Sequence, residues 1–554
     1  MFSRSIRFVL ILLPLGFLAV FYVYPLMTIF GVSLAPEGHL DLSGFSRIIS
    51  GSYYLETLGF TFSQALLSTG LTLLFALPSA YVFTRYQFRG KSLLMALATL
   101  PFVLPTVVVA AAFLALIGPR GLLNQALMNL LSLPEPPIQL ERTLTLILIV
   151  HVFYNYAVAL RIIAGFWANQ NPRIEEAARV LGASGWGLWW RIRLPILRPA
   201  ILAASILVFI FTFTSFGVVL ILGGPQYATL EVEIYRQATG IFNLPMAAAL
   251  SLVQIGFMLL MMIVYTRLQR RLAGDLVSSV RVAVPVRSWA ARLLVGGTLG
   301  FMLVMLFLPL LALVARSVVG LDGNVTVQYF QRLNLNARGS VLFVPPINAI
   351  GHSLTFALAT TLLSVFLGLV TAYLLAGRLG RFGTWFDPIF MLPLATSAVT
   401  LGFGNLIALD EPPLNLRTSP LLIPLAHTLV ALPFVVRSVL PSLLSLPPNL
   451  GEAARVLGAD EWRVFQRIDL PIISRGLLVG ATFAFTVSMG EFGATSFLAR
   501  PDTATIPVVI FRLLGQPGAL NYGQAMAMSV ILMLVSAISF ISIERLRPSV
   551  AREF

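Results

Sequence analysis

The chain has 554 residues, 58% of them apolar and only 11% charged, with a mean hydropathy of +0.90. A soluble domain of that composition would lack the polar residues to cover its surface, so the sequence describes an integral membrane protein with many spans. The absence of cysteine excludes disulfides, thiol chemistry and Cys-based metal sites, and four scattered histidines make no zinc motif. The net charge of +15 sits in short basic loops beside apolar runs, so it reads as topology and not as a nucleic-acid surface.

In chain order, Arg4 and Arg7 precede an apolar run from Phe8 to about Leu34. That run is too long for a signal-peptide core and lacks a clear cleavage site, so it is expected to remain as the first span. A span needs about 20 mostly apolar residues. Twelve are expected, at about 8–32, 58–83, 93–118, 143–168, 198–222, 245–268, 291–315, 349–376, 384–408, 420–446, 474–496 and 520–544. Pro101, Pro105, Pro393 and Gly402 fall inside spans and need not break them.

Most of the 37 basic residues fall on the cytoplasmic side if both termini are cytoplasmic. The fold class predicted is therefore an all-α membrane protein of twelve helices. They form two parallel six-helix repeats with pseudo-two-fold symmetry about the membrane normal. The first unit covers 1–268, a basic cytoplasmic linker 269–290, and the second unit 291–554.

The repeat is explicit in two polar loops, 171–195 and 447–471. Glu176, Ala177, Ala178, Gly182, Ile192, Leu194 and Pro195 recur 276 residues later as Glu452, Ala453, Ala454, Gly458, Ile468, Leu470 and Pro471. His151 and Arg161 recur at the same offset as His427 and Arg437; Tyr81 and Pro101 recur as Tyr373 and Pro393 at an offset of 292. Asn171-Pro172 is a helix start, and Ile174, Ala177, Ala178 and Leu181 share one helical face. Gly182 and Gly458 are expected to end the helix, and Ser184 and Asp460 to cap a second short one carrying Trp186, Trp189 and Trp190, or Trp462 and Phe465. Leu-Pro then ends the loop and opens the next span. The bland alternative, an ordinary interfacial hairpin, does not account for two copies with identical spacing.

These loops resemble the EAA loop of type I ABC importer permeases, the binding-protein-dependent inner-membrane components. The resemblance covers nearly the whole chain and is similar to the fused two-permease chains of the thiamine and ferric-iron branch. Leu222-Gly223-Gly224-Pro225-Gln226 and Thr229-Leu230-Glu231 look like the thiamine permeases, whereas Gly490-Glu491-Phe492-Gly493-Ala494 is shared by permeases of many cargoes. What the resemblance implies is a transport subunit and not an enzyme. Two copies of a cytoplasmic ABC ATPase, which hold the ATP and magnesium, would seat the two loops. An extracytoplasmic solute-binding protein would deliver a small solute, thiamine slightly before ferric iron. No cofactor is expected in the chain itself.

Other chemistry is weaker. Gly90-Lys91-Ser92 ends like a phosphate-binding loop, but Arg85 stands where the motif needs glycine. Glu491 lies within a span, with Ser215 at the matching place in the first unit. It either lines a translocation path together with Ser215, Gly217, Ser488, Gly490 and Gly493, or holds helices together. His151 and His427 read as packing histidines, and Arg161 and Arg437 as snorkelling cations. The rings of Phe211, Phe213, Phe216 and Phe483–Phe492 read as helix packing before an aromatic cage. Two other classes remain: an ion-coupled secondary transporter, and an integral membrane transferase, for which Glu231, Glu233, Asp410 and Glu411 make no convincing metal or acid–base set.

Overall fold

A computed structural model describes residues 4–274, 283–320, 323–335, 344–377, 386–410, 412 and 414–546. Among the described residues, eleven helices are long and apolar enough to cross a membrane. They number twelve if the bent pair Asp387–Ala395 and Ala398–Ala408 is one span. Among the described residues, strand structure is confined to the pairing of Tyr86–Gln87 with Val284–Pro285, which ties the linker to the base of the first unit, and one isolated bridge, Val319 with Val325. Residues 275–282 of that linker lie outside the described residues.

Each unit is built round the same three-helix bundle. Ser52–Arg85 packs on Leu144–Ala168 and both pack on Leu194–Phe213; Pro346–Leu375, Leu422–Leu444 and Leu470–Gly490 repeat the arrangement. The opening helix of each unit leaves its own bundle. Tyr24–Leu34 lies against Ala398–Ala408 of the second unit, and Trp289–Val318 lies against Thr106–Ile117 of the first. Residues of both units therefore share one continuous apolar core, which includes Val109, Phe153, Leu306, Phe403, Phe492 and Met526. The units that divide the sequence are interlocked in space.

Four expected spans are corrected by the backbone. The helix expected over 93–118 breaks at Leu104, which is extended (ψ 139°). Pro105 excludes its predecessor from helical geometry, and the chain restarts at Thr106. The next apolar stretch runs on to Leu131, through what was expected to be an external loop. Its matching element, 384–408, folds through 98° between Ala395 and Ala398. Pro101 and Pro393 sit in first turns, where a missing N–H costs nothing, and Gly402 lies in an unbroken helix.

The spans expected over 198–222 and 474–496 also stop early, at Phe213 and Gly490. Short helices then restart at Gly217 and Thr495. Between them lie Ser215, Phe216 and Glu491 to Ala494, the irregular backbone of the central seam.

Candidate functional site: two matched loops and a central seam

The two loops repeat the same backbone closure and differ in their side-chain caps. Asn171 caps the first helix, Pro172–Val180, by accepting from the Arg173 N–H at 3.0 Å. Gly182 has φ +88° and Gly458 φ +86°, left-handed conformations that only glycine adopts without strain. Ala183 N–H donates to Ala178 O at 2.9 Å and Ala459 N–H to Ala454 O at 2.9 Å, the closing bonds of a glycine-terminated helix.

Asp460 caps the second short helix through the Arg463 N–H at 2.9 Å. Ser184 does not: its side chain makes no capping bond, and only its carbonyl accepts, from Gly187 and Leu188. Leu-Pro does not separate loop from span either. The short helix passes through a π-turn, Trp189–Arg193 or Phe465–Asp469, straight into the membrane helix. Leu194 N–H bonds Trp189 O and Leu470 N–H bonds Phe465 O in the wide pattern of the π-turn, and Pro195 and Pro471, which have no N–H to donate, follow at once. The second short helix of each loop is continuous with the span that follows, as Gly185–Phe213 or Glu461–Gly490.

The face of the first loop helix is turned outward. Ala178 is buried, whereas Ile174, Glu176, Ala177 and Leu181 are exposed; Glu452, Ala453 and Leu457 match them. The tips carry a feature that helical periodicity half singled out, since Leu181 and Leu457 belong to the expected face and their neighbours Val180 and Val456 do not. Val180 and Leu181 are 87% and 88% exposed, and Val456 and Leu457 are both 87% exposed. Two apolar pairs thus stand fully in the open at matched positions. Ile192, Leu194, Ile468 and Leu470 are half-buried and hold the π-turns against the bundles.

The central seam brings the two units together. Phe216 and Phe492, symmetry mates, stack on each other with ring centroids 5.4 Å apart. Tyr235 of the first unit meets Phe216 at 5.4 Å and Phe497 of the second at 5.3 Å. The glycines here permit close approach. A Cβ on Gly217 would lie 2.4 Å from Thr106 Oγ1 and 3.2 Å from the Phe492 ring, and one on Gly490 would lie 2.9 Å from Pro105 of the other unit. A Cβ on Gly493 would meet that of Ala398 at 3.1 Å.

Behind the seam each histidine uses both ring nitrogens. His151 bonds Ser68 and Ser215, each at 2.8 Å. His427 bonds Ser488 at 2.7 Å and Thr495 at 2.8 Å, with Glu491 Oε2 3.3 Å away. The Glu491 carboxylate accepts from Ala494 N–H at 2.8 Å, from Thr495 N–H at 2.9 Å and from the Thr495 hydroxyl. It caps the turn that follows Gly490. Of the two roles expected for this acid, the geometry displays the helix-holding one. The partnership of His427 with an acid 64 residues away was not legible in the sequence.

Arg161 and Arg437 are tied, and do not simply snorkel. Arg161 donates to Met95 O at 3.1 Å, and Arg437 bonds Asp387, the symmetry mate of Met95, at 3.2 Å. Lys91 donates to Tyr86 O at 3.2 Å. Glu231 is buried against Gln254 at 2.6 Å, and Glu233 accepts from Tyr53 at 2.7 Å. Phe211 and Phe213 pack against Phe102 and Phe257. Among the described residues, no group of His, Asp or Glu could hold a metal ion.

The two halves of this architecture each match one family, the binding-protein-dependent transport system inner membrane component, over residues 69–274 and 364–552. The chain belongs to that family. It is thus the membrane permease of an ATP-driven importer of the binding-protein-dependent kind, a multi-pass inner-membrane transport subunit and not an enzyme. It is similar to the thiamine transport system permease protein ThiP of Brucella suis, at 28% identity over 85% of this chain and 84% of that protein. It resembles the ThiP proteins of Salmonella typhimurium (26% identity, 92% of both chains) and Escherichia coli (26%, 89% of both).

Proposed function

We propose that the permease imports thiamine, received from an extracytoplasmic binding protein. The observation that carries this is likeness along the whole length, since the relatives named for thiamine transport align over 84–92% of their own chains. Thiamine bears a fixed positive charge. Glu231, a buried acid held by the Gln254 amide, stands on the same short helix as Tyr235 of the seam and is the acid we assign to face that charge.

In this reading both termini and both loops are cytoplasmic, and two copies of an ABC ATPase seat the loops. The apolar tips Val180-Leu181 and Val456-Leu457 enter the ATPase, with Glu176, Ala177, Ala178, Glu452, Ala453 and Ala454 flanking them. Gly182 and Gly458 fix the tip geometry. Continuity of each loop with its span carries the push to the seam, where Ser215, Gly217, Ser488, Gly490, Glu491 and Gly493 frame the closed end of the path. ATP-driven approach of the ATPases then rocks one bundle against the other and parts the Phe216–Phe492 stack. The functional units remain 1–268 and 291–554, joined by the linker 269–290.

Uptake of labelled thiamine by proteoliposomes holding permease and ATPase, with binding protein outside, tests this. Saturable, ATP-dependent accumulation is expected. Accumulation of a different solute, with thiamine ignored, would refute the cargo while leaving the importer intact.

A further inference from the structure

The two loops are alike in backbone and opposite in charge at one buried position. Tyr81 and Tyr373 are symmetry mates near the ends of Ser52–Arg85 and Pro346–Leu375. Each meets the aromatic residue that opens a π-turn: Trp189 lies 5.8 Å from the Tyr81 ring, and Phe465 lies 6.2 Å from the Tyr373 ring. One turn further on, the residue that reaches the tyrosine is Arg193 in the first unit and Asp469 in the second. Both are buried, at 6% and 5% exposure.

The Arg193 guanidinium lies over the Tyr81 ring at 5.1 Å and over Trp189 at 5.5 Å. It also bonds the buried Glu175 carboxylate, on the loop helix itself, at 3.2 Å. In the second unit Tyr373 donates its hydroxyl to Asp469 at 2.7 Å, and the place of Glu175 is taken by Gly451, which has no side chain to join the contact. The exposed ion pair Arg455–Glu461, at 3.0 Å, braces that loop at its outer edge instead. Exposed pairs are weak and water-screened, whereas a buried pair resists the loss of either partner.

We infer that Arg193 is the positioning residue of the first coupling loop, latching its docking helix through Glu175 to the membrane helix through Tyr81, and that among the described residues the second loop has no equivalent of this latch, because Gly451 stands in the place of Glu175. Three elements of the first unit then move as one body: Pro172–Val180, the π-turn and Ser52–Arg85. Among the described residues, the second docking helix is held to the short helix Glu461–Val464 by the surface pair Arg455–Glu461 and by the packing of Val464 against Gly451. A motor made of two identical ATPases meets one stiff knob and one compliant knob, so the two transmit motion unequally.

This rests on the reading that the loops seat the ATPase, and the test separates the two. The complete permease–ATPase complex is purified with Arg193→Met, Glu175→Gln, Arg193→Lys or Asp469→Asn. Three quantities are read: ATPase retained on the permease, ATP hydrolysis, and solute accumulated with binding protein present. Arg193→Met and Glu175→Gln should keep the ATPase and its hydrolysis yet raise the ATP consumed per solute by about tenfold, the scale of a lost coupled contact. Arg193→Lys, which keeps the charge pair, should restore most of the ratio, and Asp469→Asn should change it much less than Arg193→Met does. Glu175→Gln is nearly isosteric, so it reports even if Arg193→Met folds poorly. An unchanged ratio in Glu175→Gln, or equal uncoupling by Asp469→Asn, overturns the latch. Failure of the ATPase to accompany the unaltered permease would instead overturn the docking reading.

Discussion

Phe216 and Phe492 lie 276 residues apart and stack face to face, their planes 27° apart. They are the same residue of the two repeats, so the pseudo-two-fold axis passes between their rings. A contact between symmetry mates closes when the halves approach and opens when they part. In the proposed mechanism the path between the two units is shut at this level. With no native cysteine in the chain, the pair Phe216→Cys and Phe492→Cys can be joined by a short thiol cross-linker. Cross-linked transporter should bind ATPase but accumulate no solute, and reductant should restore uptake. Full uptake while cross-linked would remove the seam from the path.

Gly182 and Gly458 stand in open space, so a larger side chain meets no neighbour there. Only the left-handed backbone resists it, at about 1–2 kcal/mol. Gly182→Val and Gly458→Val should therefore insert and fold normally but tilt the exposed tips. We expect retained ATP hydrolysis with uptake reduced several-fold, measured in the same vesicles. Unaltered uptake in the double variant would count against the coupling role.

Glu491 fastens the seam by accepting two backbone N–H groups and a hydroxyl. Removing it leaves buried donors without partners, so Glu491→Ala should lose roughly 3 kcal/mol of stability. Glu491→Gln, which keeps one acceptor oxygen, should lose less. Thermal unfolding in detergent orders the three proteins. If Glu491→Ala melts with the parent chain while uptake is lost, the acid acts on the solute and not on the fold.

Gly402 offers a test of seam packing. A Cβ there would lie 2.5 Å from Ala494 Cα, a backbone atom that cannot swing aside. Gly402→Ala should cost about 1–3 kcal/mol, as overpacking does. Gly351, with nothing within 4 Å, should accept alanine without loss. Equal melting of both variants would show that the turn after Glu491 yields freely.

Much of this architecture could be read from residue order alone. The paired loops were legible because their helix starts, glycine ends and Leu-Pro exits are local signals at fixed spacing. The broken spans were not, although Pro105 marked one of them. Apolar composition registers hydrophobic length and is blind to a bend, and the second break, beside Ser397, carries no proline at the turn. The opposed charges of Arg193 and Asp469 are visible in the repeat, but their meaning depends on tyrosines about a hundred residues upstream. The contact of His427 with Glu491 and the crossing of the opening helices are likewise products of packing between distant segments.

The account stands or falls on what the exposed tips hold. The measurement is co-purification of an ABC ATPase with the permease from membranes, before and after Val180, Leu181, Val456 and Leu457 are replaced by aspartate. The unaltered chain should carry the ATPase with it, and the fourfold variant, still inserted and folded, should arrive alone. An ATPase that stays bound to the fourfold variant, or none on the parent chain, would contradict the claim that these two loops are where the motor grips.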